Sequence, residues 1–519
     1  MLNTEINEFA AQTNLTQVAS YFDMVDNVVK TGDSNKKYHI STNACGAPAA
    51  PIQNGGWTVV TISPTGDNMA DLYNSFIYAE MDVAVEVEQK LASKFTSKDG
   101  TKAPAFWIGF KDSLQAISQY QILANGTAIY TQSNAIEEAF ITSLAMPEAV
   151  KKVDVYSSVR FKDVWYDRGT TRLGDVITLN ENDTVYGARI RIKIDLRRFL
   201  PLATIRMLPL FAGNIDLRIK FSTDGLVCAP LSLEYSAGNM VNLAKCKSVP
   251  QLTCKFVPIG EEFTMLANVA SDANGFDVTT VKQKATVKAM VVNQCESHIA
   301  CFGLDENLYQ SLIERYSREA LTFPIQTLSF QDMNGSPNKS GMDLVLTSTP
   351  RFVDSIFILF KKTSGYRTCF ENPLFRGYQL KMGGYGVTPD LEFPSFSAQS
   401  YEMASNAFNT NNDSCGFNTD VMRSLTNNSN IELGTVPRDV TNYVLAFPTS
   451  TDFTYQQGQT SNSTISYALK ATFHTDENGQ VHSPYVDEKR MIPSMGFLKD
   501  SVLAIQLRPG GAPPFVCVD

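Results

Sequence analysis

The segment from Pro350 to Phe393 shows the clearest hydrophobic pattern in the chain. An apolar run, Phe352–Phe360, predicts a strand buried on both faces. After Asn372-Pro373 the pattern changes to alternation, with Tyr378, Leu380 and Met382 separated by polar residues. Such alternation is typical of a strand with one face on the core. The segment contains no cluster of nucleophiles, bases or metal ligands, so it indicates structural material rather than a reaction centre.

The first half of the chain, roughly residues 46–240, has similar strand patterns and little helix. An Asn125-Gly126 pair between two strand patterns predicts a β-hairpin, and Glu137–Val150 predicts a short helical insert. Strands that follow one another without intervening helices favour an antiparallel sandwich of about eight strands. The other predicted strands of this half are Trp57–Ile62, Asp71–Val87, Arg189–Asp195 and Asn214–Phe221.

The second half predicts another sandwich of about eight strands. One helix interrupts it, with Leu308, Leu312, Ile313 and Tyr316 forming an apolar stripe before Pro324. An Asn478-Gly479 pair predicts a further hairpin. The other predicted strands are Phe256–Leu266, Thr286–Val292, Met342–Leu346, Tyr443–Phe447, Ser466–Phe473 and Ser501–Leu507.

The predicted domains are therefore an N-terminal helical arm (1–45), a first sandwich (46–240) and a second sandwich (241–519). The arm has apolar residues at helical spacing from Leu15 to Val29 and acidic residues opposite, which favours docking on protein over docking on a membrane. The second sandwich carries a long polar loop, 395–439, and a C-terminal tail after Gly510-Gly511. A loop of this length indicates a segment that forms an interface or has another function.

Composition and charge narrow the classes of protein to which the chain can belong. The 519 residues are 43% hydrophobic and 19% charged, which fits a globular chain with a large core. The net charge of −9 and the absence of basic runs argue against sequence-wide nucleic-acid binding. The nine cysteines form no CxxC motif, and the start of the chain lacks a signal-peptide pattern. We therefore expect free thiols in a reducing compartment, and no apolar run is long enough to span a bilayer.

Two groups of residues could bind a metal. Cys295, His298 and Cys301 are soft ligands on one segment, but their spacing matches no common zinc motif, and a strand end with buried thiols is the simpler interpretation. His474 and His482 flank the Asn478-Gly479 turn and are expected to be surface residues of the hairpin. No metal site and no cofactor are predicted.

Two other groups could bind a phosphate or a glycan. The glycines at Gly383-Gly384 and Gly386 follow a predicted strand and do not precede a helix, so a phosphate-binding loop is not expected. We expect instead a turn with positive φ. A pair of carboxylates across a cleft would suit a glycosidase. The candidates are Glu80, Asp82, Glu86 and Glu88, but their regular alternation favours a solvated strand face.

Four stretches resemble the double jelly-roll major capsid proteins of tailless double-stranded DNA viruses, of the polinton-like virus and virophage type. They are Trp57–Val87, Phe110–Phe140, Leu196–Phe221 and Phe370–Phe393, in the family's order. Tyr443–Phe473 is similar to the closing strands. A departure lies at Tyr385, which the family tends to place directly before a proline, whereas here Pro389 comes four residues later.

The resemblance implies an all-β fold of two consecutive eight-stranded antiparallel jelly-roll sandwiches with short helical inserts. It implies a structural, non-enzymatic major capsid protein whose homotrimers form the pseudo-hexameric capsomers of an icosahedral virion. Expected partners are further copies of the chain and penton and minor capsid proteins, with synthesis in the host cytoplasm. The trimer-interface residues stay unknown. The alternatives are a two-domain jelly-roll protein that binds or cleaves glycans, and a minor vertex protein.

Overall fold

A computed structural model gives the conformation of most of the chain. The residues it describes are 39–45, 51–62, 68–88, 104–146, 154–159, 164, 172–180, 182–231, 256–271, 275–334, 341–348, 353–362, 367–371, 373, 375–383, 385–386, 391–392, 403, 407, 441–449, 464–473, 492–506 and 515–518. The predicted arm helix, nearly all of loop 395–439, and the hairpin with His474 and His482 lie outside these residues.

Among the residues that the structure describes, fifteen strands precede residue 303 and build the first sandwich and its additions. They are β1 (His39–Ala44), β2 (Ile52–Gln53), β3 (Trp57–Ile62), β4 (Met69–Val87), β5 (Ala105–Phe110), β6 (Ile117–Ala124), β7 (Thr127–Gln132), β8 (Gly174–Thr178), β9 (Val185–Asp195), β10 (Met207–Pro209), β11 (Ile215–Phe221), β12 (Leu226–Pro230), β13 (Val257–Pro258), β14 (Glu262–Ser271) and β15 (Gly275–Phe302).

Ten strands follow in the described part of the chain and build the second sandwich. They are β16 (Leu321–Asp332), β17 (Gly341–Ser348), β18 (Val353–Lys361), β19 (Phe375–Met382), β20 (Tyr385–Gly386), β21 (Leu391–Glu392), β22 (Leu445–Pro448), β23 (Ile465–Phe473), β24 (Ile492–Gln506) and β25 (Phe515–Val518).

Within the described ranges, three helices and three 3-10 turns connect the strands. The helices are α1 (Ala135–Ala145), α2 (Leu200–Ala203) and α3 (Glu306–Tyr316); the turns are Ser113–Ala116, Leu196–Arg198 and Leu210–Ala212. Helix α3 begins at the N-cap residue Asp305, whose side chain accepts a hydrogen bond from the Asn307 amide. No helix among the described residues is long and apolar enough to cross a membrane.

Both sandwiches have the strand order of a jelly roll. The first pairs β1-β15-β4-β9 in one sheet and β3-β11-β6-β7 in the other. The second pairs β16-β24-β18-β22 and β17-β23-β19-β20. If the main strands of each sandwich are lettered B to I in chain order, both have the sheets B-I-D-G and C-H-E-F, joined as in a double-sheet jelly roll. The predicted fold class, tandem antiparallel jelly-roll sandwiches with short helical inserts, is confirmed.

Side-chain alternation explains why these segments form strands. In β11 every second residue from Ile215 to Phe221 is buried, as the sequence predicts. Strand β18 is buried along almost its whole length, because its sheet is covered on both sides. The hairpin between β6 and β7 turns at Asn125 and Gly126, with φ of 49° and 82°. A two-residue type I′ turn requires positive φ at both positions.

The predicted domain boundary at 240/241 needs a correction. Strand β15 lies beyond residue 240, yet it pairs with β1 and β4 and is the I strand of the first sandwich. The first sandwich therefore extends to Phe302, and α3 leads into the second. Two smaller corrections concern the ends: His39–Ala44, placed in the arm, form β1, and Phe515–Val518, placed in the tail, pair with β24 as β25.

A third, small sheet covers one end of the first sandwich. Its order is β13-β12-β5-β8. Strand β5 lies in the D–E connection, β8 in the F–G connection, and β12 and β13 in the H–I connection. These connections meet at the same end of a jelly roll, so we call this sheet the cap sheet.

Candidate assembly surfaces and the junction between the sandwiches

An ion-pair ladder covers the outer face of the B-I-D-G sheet of the first sandwich. Arg191 Nε lies 2.9 Å from a Glu80 oxygen, and Arg189 Nε lies 2.8 Å from a carboxylate oxygen of Asp82. The hydrogen bond from Arg189 holds the pKa of Asp82 below its ordinary value. Glu80 and Asp82, two of the candidates for a glycosidase pair, are therefore bound by arginines, as expected of a solvated strand face.

The remaining two carboxylates of this set lie further along the same face. Glu86 pairs with Lys288 of β15 at 2.7 Å. Glu88 is exposed just after β4 ends. Opposite charges on neighbouring strands at one face stabilise the pairing of strands modestly, and they present an alternating charge pattern to any partner.

The cysteine and histidine group on β15 does not converge on one point. Cys295 faces the core opposite Cys45, whereas His298 lies on the outer face. The His298 ring stacks on Phe76 with centroids 4.6 Å apart, and its Nδ1 lies 3.0 Å from the Thr42 hydroxyl. Among the described residues, no group of three or more His, Cys, Asp or Glu side chains is placed to hold a metal ion.

Helix α1 lies between the two sandwiches. Eight of its eleven residues are buried and the other three are half-buried, as in a helix that packs against neighbours over most of its surface. Phe140 packs edge-on against Phe370 of the second sandwich, with centroids 4.7 Å apart. The helix thus joins an apolar cluster that spans both halves, made of Phe140, Ile141, Leu144, Leu328, Phe357, Leu359, Phe370, Ala407, Val444 and Ala446.

Charged residues at the start of α1 link it to the second sandwich. The Glu137 carboxylate accepts a hydrogen bond from Arg367 Nη2 at 2.7 Å and lies 3.3 Å from Lys361 Nζ. The side chains of Glu137, Lys361 and Arg367 are only 2%, 7% and 15% exposed. Lys361 also lies 3.7 Å from Asp332, and Arg367 lies 3.9 Å from Asp224, but both of those carboxylates are more than half exposed. Removing Glu137 would leave two poorly exposed cations with only these longer contacts, which is costly.

Loop residues of both sandwiches also meet at the cap-sheet end. Lys111 Nζ, in the D–E connection of the first sandwich, donates to Asn442 Oδ1 at 2.5 Å in the F–G connection of the second. Gln115 Nε2 lies 3.5 Å from the Thr368 hydroxyl in the second D–E connection. Corresponding ends of the two jelly rolls therefore lie side by side.

Glu138, the neighbour of Glu137, occupies a separate buried network. Its carboxylate accepts hydrogen bonds from the Tyr120 hydroxyl at 2.7 Å, Gln132 Nε2 at 2.6 Å and the Leu200 amide at 3.3 Å. Burial raises the pKa of Glu138 from 4.5 to about 7, although these donors act in the opposite direction.

This raised pKa predicts a pH-dependent stability. The folded chain binds the Glu138 proton more tightly than the unfolded chain, so its contribution is fully present below pH 4.5 and is lost as the pH rises towards about 7. We expect the unfolding free energy of the wild type, relative to Glu138→Gln, to fall by about 3 kcal/mol across that window. Denaturant titrations at several pH values measure this difference. Glu314→Gln, at an exposed site, is the control, and an equal slope in Glu138→Gln and the wild type would contradict the prediction.

The edge of the first sandwich formed by β1 and β3 is turned away from the second sandwich. The opposite edge faces it: Gln132 of β7 donates to the Leu328 carbonyl at 2.7 Å. On the edge formed by β1 and β3, Val59 is 43% exposed. Beside it, Arg218 stacks over the Trp57 ring at 4.9 Å, and Lys220 lies 6.0 Å from that ring. This edge combines exposed apolar surface with positive charge.

No protein-family model and no curated protein matches the sequence. Several solved structures are similar along most of their length. The mavirus major capsid protein shares 12% identity, with 92% of this chain and 90% of that chain covered and a TM-score of 0.45. A quasi-atomic model of the PBCV-1 virus capsid shares 10%, with coverage of 93% and 97% and a TM-score of 0.45. The Faustovirus major capsid protein shares 8%, with coverage of 95% and 98% and a TM-score of 0.44. The jelly-roll fold itself is shown by the strand pairing of the two sandwiches.

Proposed function

We propose that this chain is a major capsid protein whose homotrimers form the pseudo-hexameric capsomers of an icosahedral virion. The observation that carries the proposal is the pair of complete jelly rolls with corresponding ends side by side. Three such chains supply six similar sandwiches around one threefold axis. The four sequence stretches that resemble double jelly-roll capsid proteins support the same role.

The buried contacts between the sandwiches suit this role. A hexagonal tile built from three chains requires each pair of sandwiches to keep a fixed angle. Helix α1 and the Glu137–Arg367 contact hold the two halves together through apolar packing and buried charge. The two sandwiches then act as one rigid unit, and the trimer forms by a closed, heterologous interface.

The proposal includes partners and location. Contacts would be made chiefly with further copies of the chain, and with penton and minor capsid proteins where the shell needs them. The net charge of −9 suits a shell protein that does not bind the genome through its phosphates and stays soluble before assembly. The site of action would be the virion capsid, after synthesis in the host cytoplasm.

Sedimentation velocity of the purified chain tests the proposal. We expect a single species of three chains of 57.3 kDa, about 172 kDa, that persists on dilution to micromolar concentration. A monomer at all concentrations would contradict it. Glycan-array binding serves as the parallel test, since saturable sugar binding by a monomer would favour the glycan-binding alternative.

A further inference from the structure

The longest of the described strands extends well past the sheet that it completes. Strand β15 has 28 residues, and its pairing with β4 runs only from Ala285 to Phe302. The preceding part, Gly275–Lys284, pairs with β14 instead, from Glu262↔Lys284 to Ser271↔Gly275. We call these two strand segments, Glu262–Ser271 and Gly275–Lys284, the β14–β15 ribbon. At about 3.3 Å per residue its ten pairs span about 33 Å.

The base of the ribbon is fixed to its own sandwich. Phe263 is buried and packs against Phe106 of the cap sheet, with centroids 5.1 Å apart. Met265 is also buried, and Lys282 pairs with Glu262 across the ribbon at 2.9 Å. These contacts set the direction in which the rest of the ribbon leaves the sandwich.

The outer part of the ribbon has only itself as a pairing partner in the part of the chain that the structure describes. Residues 266–271 and 275–280 pair with each other and with no third strand there. A two-stranded ribbon is marginally stable in water, and its outer N–H and C=O groups are a template for another strand. The sequence from 266 to 280 contains two aspartates and no lysine or arginine.

We propose that the β14–β15 ribbon adds to the β3 edge of a second copy of this chain within the trimer. Strand β3 pairs with β11 on one side only among the described strands, and it lies on the edge that faces away from the second sandwich. Its exposed Val59 offers apolar contact, and Arg218 and Lys220 beside it complement the two aspartates in the sequence of the outer part, 266–280. Strand addition supplies backbone hydrogen bonds and covers both unpaired edges.

This inference rests on the proposed function and makes it more specific. A closed threefold ring needs two different complementary surfaces on every copy. The ribbon would be the donating surface and β3 the accepting one, so each copy gives one ribbon and receives one.

Two variants test the inference. In the first, residues 267–279 are replaced by Asn-Gly, so that a two-residue turn joins the paired residues Leu266 and Thr280. The same dipeptide joins β6 to β7 in this chain. The base of the ribbon, with Phe263, is kept. The second is Val59→Lys, because a lysine on an edge strand opposes strand addition. The control is Val185→Lys, since Val185 is 52% exposed on β9 of the same sandwich.

Dissociation of the trimer on dilution, followed by mass photometry, gives the answer. We expect the concentration for half-dissociation to rise about tenfold or more in the shortened-ribbon chain and in Val59→Lys, as for central interface residues. We expect no change in Val185→Lys. Combining the two variants should add little, because both remove one contact. In the wild type, amides of 266–271 and 275–280 should gain protection from hydrogen exchange in the trimer.

Unchanged trimer stability in Val59→Lys and the shortened chain, or ribbon amides that exchange equally fast in monomer and trimer, would overturn the inference while leaving the proposed function intact. If the shortened chain does not fold, Val59→Lys and the exchange measurement decide the question. A wild type that never forms trimers would overturn both proposals.

Discussion

Replacing Glu137 with alanine is expected to lower the free energy of unfolding by about 3–5 kcal/mol. The reason is that Lys361 and Arg367 would keep their charges at the junction without the carboxylate that both contact. These two cations come from the second sandwich and Glu137 from α1 of the first, so the loss falls on the contact between the halves. Denaturant unfolding measures the change.

Two comparisons make the Glu137 result specific. Glu137→Gln keeps an oxygen that can accept from Arg367 but removes the charge, so its loss should be smaller. Glu319→Ala removes a carboxylate that is 63% exposed and paired with Arg315 on the surface, and it should change stability little. Similar losses in Glu137→Ala and Glu319→Ala would show that the junction pair contributes no more than a surface pair.

Replacing Gly174 with alanine is expected to destabilise the cap sheet strongly, by about 1–3 kcal/mol or more. Gly174 of β8 pairs directly with Gly109 of β5, and the buried Trp107 ring lies against both. A Cβ on Gly174 would lie 2.3 Å from that ring and 2.4 Å from the Ile108 carbonyl oxygen. Neither the ring nor the backbone can move away without disturbing the sheet.

Gly187→Ala provides a matched control for this substitution. Gly187 also lies in a strand, β9, and a Cβ there meets nothing within 4 Å. We expect it to leave stability unchanged or to raise it slightly, since glycine costs entropy in a strand. Equal melting temperatures for the Gly174→Ala and Gly187→Ala chains would contradict the close packing of the cap sheet.

The sequence predicts strands and turns better than it predicts which strands pair. The β6–β7 hairpin joins neighbouring segments, and Asn125-Gly126 is the dipeptide that a type I′ turn favours, so the sequence predicts it. Strand β15 shows the opposite case, because its partner β4 lies about 200 residues earlier and no local pattern records that pairing. The predicted boundary at 240/241 failed for this reason. Burial within a single strand, by contrast, follows the local pattern. In β4 every second residue from Ser75 to Val87 is buried, and Phe76 and Tyr78 lie on the outer face.

The same distinction holds for the charged residues: the face that they share within one strand can be predicted, but their partners from distant segments cannot. Glu80 and Asp82 alternate along one strand, so their shared face could be predicted without knowing that Arg189 and Arg191 lie opposite. The contact of Glu137 with Arg367 joins residues 230 positions apart. The only local signal is an acidic pair inside a mostly apolar helix, and such a pair requires buried partners that the sequence does not identify.

Electron microscopy of the purified, negatively stained chain tests the central claim most directly. Two jelly rolls per chain and three chains per particle predict uniform particles with a hexagonal outline and threefold symmetry, about six sandwiches around a central axis. Particles with two lobes and the size of a single chain would contradict the account, because two sandwiches that never meet further copies cannot build a shell.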